Sequence, residues 1–273
     1  MDAEHEAAGA PHRLFFMHIP KTAGSSVRRA LEAAQATRGR CCWFAGGDAA
    51  GEAPGLACLE AALVAGGHVR WDDAAALPGG WRIGTVLRDP LERLLSLYSF
   101  QRMRIALGMP WEASPALRRE VAERSFASLA RDPGSRFFRF TLPAQCLYLG
   151  GAPRGFLPAR GAALDRAAIA PMLGLALSRL EETAWLGVAD TLDRDLETLA
   201  RAFGWPPIGP APRANRTAPE HRLAAADLDD GLLAEVRDRL EPDYLLLARA
   251  RELAAARWPG GGGTGPGFMP GQL

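Results

Sequence analysis

The chain has 273 residues, of which 48% are hydrophobic and 23% are charged. These fractions are typical of a folded globular protein and exclude a disordered chain over most of its length. Lys and Arg together number 32 and Asp and Glu number 31, which leaves a formal net charge of +1. Such a balance gives no general attraction for polyanions, so we expect no nucleic-acid partner. Any anion that the protein binds must be held by a local cluster of cations.

The cysteines and the apolar stretches indicate where such a protein would be located. Cys41, Cys42, Cys58 and Cys146 form no CxxC pair and no zinc-like spacing with the five histidines. We therefore expect free thiols in a reducing compartment and no bound metal. No apolar stretch reaches the roughly 20 residues of a membrane span, and residues 1–12 lack the apolar centre of a secretory signal. These features predict a cytoplasmic protein with no membrane span.

The two ends of the chain differ in composition from the part between them. Residues 1–12 are mostly small and acidic and show no periodicity, and residues 259–273 are dominated by glycine. Neither composition can bury a hydrophobic core. We predict two flexible tails and a single domain over residues 13–258.

Between the tails, short apolar runs alternate with amphipathic segments. Four runs predict buried strands, at Leu14–Ile19, Leu63–Ala65, Ile83–Leu87 and Trp185–Val188. Helices are predicted over residues 25–38, from Pro90 onward with Asp89 as N-cap, over 192–203, and over 231–257 with a break near Pro242. Buried strands that alternate with helices predict an α/β fold, a three-layer sandwich with a central parallel sheet.

The residues that follow the first predicted strand are suited to binding an anion. In order they are Lys21, Thr22, Ala23, Gly24, Ser25 and Ser26. The first N–H groups of a helix have no partner within the helix and carry the positive end of its dipole, so a turn of this kind favours phosphate. The lysine adds a charge and the hydroxyls add donors. The pattern differs from the Walker motif, in which lysine directly follows glycine. The alternative is a solvated turn with no ligand.

The third predicted strand ends at Arg88, and Ser96 follows about two helical turns later. Arginine keeps its charge and presents a planar set of donors that matches a phosphate group. Because ligands of parallel sheets bind beyond the carboxyl ends of the strands, this arginine is a second candidate for an anion site. The alternative is an ion pair on the protein surface.

The two motifs, HIPKTAGSS and LRDPLERLLSLY, resemble those of the carbohydrate sulfotransferases that use 3′-phosphoadenosine-5′-phosphosulfate (PAPS). That group contains the uronosyl 2-O-sulfotransferases and bacterial relatives. The resemblance spans approximately Leu14 to Trp258 and implies a P-loop-like sulfotransferase fold with PAPS as the sulfate donor. It makes the first motif the 5′-phosphosulfate loop, formed by residues 21–26, and it gives Arg88 and Ser96 the 3′-phosphate.

Four later segments are similar to further parts of that family. Gly67-His68 is similar to the segment that supplies the general base in uronosyl members. The segment Gln145–Gly150 resembles a mid-chain Gln-x-x-aromatic element. Asn215 begins a late Asn-x-Thr element near the nucleotide, and Asp243-Tyr244 fits the closing segment. These matches are less specific than the first two.

The resemblance implies transfer of a sulfuryl group from PAPS to a hydroxyl of a carbohydrate or similar acceptor, in line and without a metal. By analogy with phosphoryl transfer, Lys21 would stabilise the leaving phosphate. His68 would remove the proton of the acceptor hydroxyl, with Gly66 and Gly67 giving the substrate room. Leu97 and Leu147 depart from residues common in bacterial relatives, so the acceptor cannot be transferred from any of them.

Two alternatives remain open at this point. The first is a P-loop nucleoside triphosphatase or kinase, against which the order of Lys21 and Gly24 argues. The second is a relative that binds a nucleotide or glycan without catalysis. Glu92 is a competing candidate for the base, although its position three residues after Asp89 already suits a capping pattern.

Overall fold

The computed structural model describes residues 12–44, 56–110, 114–141, 143–151, 166–214 and 217–257. The predicted tails therefore lie almost wholly outside the described residues, and so does Asn215.

A parallel sheet forms the centre of the described part of the chain. Its strands are β1 (Leu14–Met17), β2 (Cys41–Trp43), β3 (Val64–Gly67), β4 (Arg82–Leu87) and β5 (Trp185–Val188). Their order across the sheet is β2-β3-β1-β4-β5, and every pair is parallel. In the centre, Met17 of β1 lies level with Gly67 of β3 and Thr85 of β4. The carboxyl ends of these three strands therefore meet at one edge of the sheet.

Helices surround the sheet. In the described residues they are α1 (Gly24–Ala33), α2 (Leu56–Ala61), α3 (Trp71–Ala75), α4 (Pro90–Ala106), α5 (Pro115–Glu123), α6 (Phe126–Ala130), α7 (Arg136–Thr141), α8 (Ala144–Gly150), α9 (Arg166–Glu182), α10 (Leu192–Phe203), α11 (Asp230–Arg239) and α12 (Glu241–Arg257). Short 3₁₀ turns lie at Ala189–Thr191, Pro219–His221 and Ala225–Asp227. None of the helices in this part of the chain is long and apolar enough to cross a bilayer.

Both faces of the sheet are buried, which explains why its strands read as continuous apolar runs. Along β1, Leu14 and Phe16 pack on one face with α1 and α10. Phe15 and Met17 pack on the other face with α8, α9 and α12. A third apolar cluster joins α4 to α5, α6, α7 and α11 beside the sheet. The predicted α/β class with a central parallel sheet is confirmed.

Most of the predicted elements are present, with differences of up to five residues at their ends; the largest is in α1, which ends at Ala33 rather than at residue 38. β1 ends at Met17 rather than Ile19, and β3 extends to Gly67. The helix start at Pro90 is confirmed, since Asp89 Oδ1 accepts a hydrogen bond of 2.9 Å from the N–H of Glu92. The break near Pro242 separates α11 from α12. β2 was not predicted, because three residues are too short for a periodic signal.

The prediction of four free thiols was wrong for two of them. Cys42 of β2 and Cys58 of α2 form a disulfide with their Cα atoms 5.9 Å apart, whereas Cys41 and Cys146 are free thiols. The pairing depends on how α2 packs against the sheet edge, which the spacing of 16 residues does not reveal. Disulfides are rare in reducing compartments, so this bond weighs against the compartment that we expected.

Candidate functional site

The turn between β1 and α1 has an unusual backbone. Lys21 and Ala23 are the non-glycine residues with positive φ in the described part of the chain, at 69° and 70°. The buried hydroxyl of Thr22 stabilises the turn by donating to the carbonyl oxygen of Ile19 at 2.9 Å. Residues held in such conformations cost about 1–3 kcal/mol each and cluster at ligand-binding sites. The turn is therefore strained where the sequence predicts an anion site.

The first turn of α1 has neither a side-chain cap nor an acidic residue. Ala23 occupies the N-cap position and makes no side-chain hydrogen bond. The N–H groups of Ser26 and Val27 both point back to the carbonyl oxygen of Ala23, at 2.9 and 3.2 Å. The positive end of the α1 dipole thus meets no carboxylate of its own helix, which favours binding of an anion from outside.

Gly24 allows α1 to start against the end of β1. A Cβ atom at this position would lie 1.8 Å from Cδ2 of His18, so no other residue fits without movement of the ring. The His18 ring also stacks on Phe16, with ring centroids 5.9 Å apart. Burial, with smaller contributions from His68, Lys21 and Arg28, lowers the pKa of His18 to about 3. His18 is consequently a neutral packing residue of the turn at physiological pH.

His68 follows β3 and lies beside His18, with ring centroids 4.2 Å apart. Its Nδ1 is 2.8 Å from the carbonyl oxygen of His18. Because a carbonyl oxygen can only accept, Nδ1 must donate, and the lone pair of the neutral ring is then on Nε2. This contact fixes both the tautomer and the orientation of the ring. A base at this edge of the sheet would therefore act through Nε2.

The sequence analysis expected Gly66 and Gly67 to leave space for a substrate. In the structure, both glycines are packed against other residues of the protein. A Cβ atom at Gly66 would lie 2.5 Å from the carbonyl oxygen of Phe16, and one at Gly67 would lie 2.7 Å from Cβ of Phe44. Both positions therefore need glycine for packing inside the protein.

Arg88, in the second motif, contacts the turn that contains the first motif. Its Nη1 donates to the carbonyl oxygen of Lys21 at 3.3 Å, and its Nη2 lies 3.4 Å from Oε2 of Glu92. The exposed fraction is 24% for the Arg88 side chain and 46% for that of Glu92. An ion pair this exposed contributes little, about 0–1 kcal/mol, and can yield to a ligand. Because the carboxylate of Glu92 forms this ion pair with Arg88, His68 is the stronger candidate for a base.

The Lys21 ammonium lies over an aromatic ring that the sequence analysis did not single out. Its Nζ is 3.9 Å from the centroid of Phe100 on α4. Burial, together with the charge of Arg88, lowers the pKa of Lys21 to about 8. Phe100 lies one helical turn after Ser96, so the spacing of four residues on a predicted helix was the available signal. Two cations and a helix N-terminus thus converge at one edge of the sheet.

The remaining predicted residues are distributed around this edge. Ser25 is half-buried in the first turn of α1, and Ser96 is half-buried on α4. The Oγ atom of the buried Ser26 accepts a hydrogen bond of 3.3 Å from the N–H of Ala214. The chain thus reaches the start of α1 one residue before Asn215, which itself lies outside the described residues.

A cavity of about 630 Å³ lies elsewhere, at the amino end of β4. Its lining includes Trp81, Arg82 and Arg257. Arg257 there donates to the carbonyl oxygen of Thr183, at 2.8 Å, near the end of α9. None of the motif residues lines this cavity, and ligands of parallel sheets bind at the opposite edge. We therefore place the candidate site at the carboxyl ends of β1, β3 and β4.

Within the described residues, no three His, Cys, Asp or Glu side chains are close enough together to hold a metal ion. Comparison of the chain with protein-family models and with curated proteins found no match.

Proposed function

We propose that this protein is a sulfotransferase that moves a sulfuryl group from PAPS to a hydroxyl of a carbohydrate or similar acceptor. One observation carries the proposal: the guanidinium of Arg88 contacts the turn that contains Lys21, at 3.3 Å, although 67 residues separate them. A nucleotide with phosphates at its 5′ and 3′ positions requires two cationic sites that lie close together. β1 and β4 are neighbours in the sheet, so their ends supply such a pair.

The residues of this edge fit the donor. The strained turn, the uncapped start of α1 and the Lys21 ammonium would hold the 5′-phosphosulfate. Arg88 and Ser96 would hold the 3′-phosphate, for which a planar guanidinium is well suited. The bound donor supplies the sulfuryl group.

Lys21 and His68 would then perform different parts of the transfer. The acceptor oxygen forms a bond to sulfur while the bond between sulfur and the phosphate oxygen breaks. Nε2 of His68 takes the proton of the acceptor hydroxyl, and general-base assistance of this kind contributes roughly 10²–10⁴-fold to a rate. The negative charge left on the phosphate oxygen is stabilised by the Lys21 ammonium and the N–H groups of the turn.

The site offers less support for a nucleoside triphosphatase or kinase. Those enzymes hold Mg²⁺ with an acidic residue near a strand end. Asp89 follows β4, but its carboxylate accepts a hydrogen bond from the N–H of Glu92 at the start of α4. That contact explains the residue without a metal.

The proposal is tested by calorimetric titration of 3′-phosphoadenosine-5′-phosphate (PAP), without added magnesium. We expect micromolar binding to the wild type and a loss of about 1.5–3 kcal/mol, or 10–150-fold in Kd, for Arg88→Ala. Arg201→Ala is the matched control, because Arg201 is exposed in the last turn of α10. Binding of Mg²⁺–ATP in place of PAP would contradict the proposal.

A second experiment tests the catalytic step. [³⁵S]PAPS is incubated with a mixture of desulfated glycosaminoglycans, and label in the polysaccharide is counted. We expect transfer by the wild type and a loss of about 10²–10⁴-fold for His68→Gln, with PAP affinity retained. Binding of PAP with no transfer to any hydroxyl acceptor would favour the non-catalytic alternative.

A further inference from the structure

Gln145 binds the backbone of Arg88 on both sides. Its Oε1 accepts a hydrogen bond from the N–H of Arg88 at 2.9 Å. Its Nε2 donates to the carbonyl oxygen of the same residue, also at 2.9 Å. The Gln145 side chain is completely buried. Because one amide uses both its donor and its acceptor on one residue, it fixes the peptide from which the Arg88 guanidinium extends.

Asp243 in turn fixes Gln145. Its Oδ2 accepts from the N–H of Gln145 at 3.1 Å, and its Oδ1 accepts from the N–H of Cys146 at 2.7 Å. The N-cap residue of α8, Pro143, makes no side-chain hydrogen bond. A completely buried carboxylate from α12, about one hundred residues later in the chain, therefore caps α8 in its place.

Arg93 supplies the opposite charge inside the protein. It lies on α4 with only 1% of its surface exposed. Burial raises the pKa of Asp243, and the nearby charge of Arg93 opposes that shift. A buried charge pair costs desolvation and is weak evidence of a stabilising role. Asp243, however, ends a series of hydrogen bonds that leads through Gln145 to Arg88, which points to a role other than stability.

We propose that Gln145, held by Asp243, is a positioning residue that sets the preference of this site for nucleotides with a 3′-phosphate. The inference rests on the proposed function, in which Arg88 binds that phosphate. A guanidinium contact depends on placement within about 0.5 Å, which a fixed backbone provides. Loss of the Gln145 amide would free the Arg88 peptide, whereas the hydrogen bond from Thr22 to Ile19 that shapes the Lys21 turn would stay in place.

The readout is a ratio, the Kd of 5′-AMP divided by the Kd of PAP, measured by calorimetry. The two ligands differ only in the 3′-phosphate, so a general loss of folded structure changes both and leaves the ratio constant. For the wild type we expect a ratio of about 10–150, because charge-assisted hydrogen bonds to the additional phosphate lower the Kd of PAP by about that factor. For Gln145→Met we expect the ratio to fall by about tenfold or more, with the Kd of 5′-AMP unchanged within about twofold.

Gln101→Met is the matched control. Gln101 is a second buried glutamine, on α4, and its Oε1 has no hydrogen-bond partner in the described residues. The ratio should stay at the wild-type value in this variant. Should Gln145→Met fail to fold, Asp243→Asn provides the same readout, since it keeps the shape of the side chain and removes its charge.

An unchanged ratio in a folded Gln145→Met protein would overturn the inference, and so would a proportional loss of affinity for both ligands. Failure of the proposed donor site is a different result, because the wild type itself would then show no preference for PAP over 5′-AMP.

Discussion

The turns after β1 and β4 lie at the same edge of the sheet, yet they begin their helices in opposite ways. After β1, two left-handed residues lead into a helix with no side-chain cap. After β4, Asp89 caps the helix, Pro90 takes its first position and Glu92 lies in its first turn. The second helix therefore has a side-chain cap of its own, whereas the first has neither a cap nor an acidic residue in its first turn, which favours an anion from outside.

Under the proposed function, this difference would divide the contacts of a bisphosphorylated nucleotide between the start of a helix at the first turn and a side chain at the second. At the β1–α1 turn, α1 starts without a side-chain cap, so the positive end of its dipole and the Lys21 ammonium would attract the anion. At the β4–α4 turn, Asp89 occupies the start of the helix, so the group left for a ligand is the Arg88 guanidinium. The first turn should be sensitive to changes of backbone shape and the second to loss of one side chain.

The largest expected effect is a loss of affinity that differs between 5′-AMP and 3′-AMP, depending on which of the two turns is changed. Lys21→Ala should weaken 5′-AMP binding by about 10–150-fold, because a charge-assisted contact to its phosphate is lost. Binding of 3′-AMP should weaken much less, because Lys21→Ala keeps the carbonyl oxygen that accepts from Arg88. Calorimetry at pH 7 with both mononucleotides measures the pair of values.

Arg88→Ala is the reciprocal variant. It should weaken the binding of 3′-AMP more than that of 5′-AMP, which is affected only through the lost hydrogen bond from Arg88 to the carbonyl oxygen of Lys21. Equal losses for both ligands in both variants would show that the two turns form one undivided site.

The next effect concerns the shape of the β1–α1 turn. Gly24→Ala should lower the free energy of unfolding by about 1–3 kcal/mol, since its new methyl group would overlap the His18 ring. PAP binding should weaken as well, because the ring or the start of α1 must shift. Urea unfolding and calorimetry measure the two quantities.

Ala23→Gly provides the opposite control at the neighbouring position. Alanine in the left-handed conformation costs about 1–2 kcal/mol, which glycine avoids. Glycine also has a larger conformational entropy in the unfolded state, and this offsets about half of that stabilisation. A gain of about 0.5–1 kcal/mol in the free energy of unfolding should result. Destabilisation by Ala23→Gly would contradict the left-handed conformation of the turn.

The two turns also show what could be predicted from sequence. The start of α4 could be predicted, because Asp89 and Pro90 favour a helix start through contacts with residues next to them in the chain. That Lys21 and Arg88 lie at one edge followed from the rule for parallel strands. The contacts of Phe100 with Lys21 and of Gln145 with Arg88 depend on how α4 and α8 pack beside the sheet, which the spacing of residues along a predicted helix does not give. Local signals thus define each turn, and tertiary packing defines how the turns are held.

The third prediction uses the titration of Lys21, whose pKa is about 8 as a result of burial and of the nearby Arg88. The ammonium loses its proton as the pH rises through that value. PAP affinity should therefore fall between pH 7 and pH 9, by at most about tenfold for a single lost charge. His18 stays neutral throughout, since its pKa is about 3.

Calorimetry across this range gives the profile, and buffers of different ionisation enthalpy show whether protons are taken up. A bound anion raises the pKa of Lys21, so uptake is expected above pH 8. Lys21→Arg keeps its charge over the whole range and should give a flat profile. A flat wild-type profile would show that the Lys21 ammonium makes no contact with the ligand.

The smallest effect on ligand affinity is expected at Asp89, the residue that makes the second turn unlike the first. Asp89→Ala should lower the free energy of unfolding by about 0.5–2 kcal/mol, the usual cost of removing an N-cap. Asp89→Ser keeps a capping oxygen and should retain most of that stability. PAP affinity should change by no more than about twofold in either variant, because the cap faces the N–H of Glu92 rather than the ligand. A much larger loss of affinity would place the start of α4 within the binding site, and the two turns would then share one mode of phosphate binding.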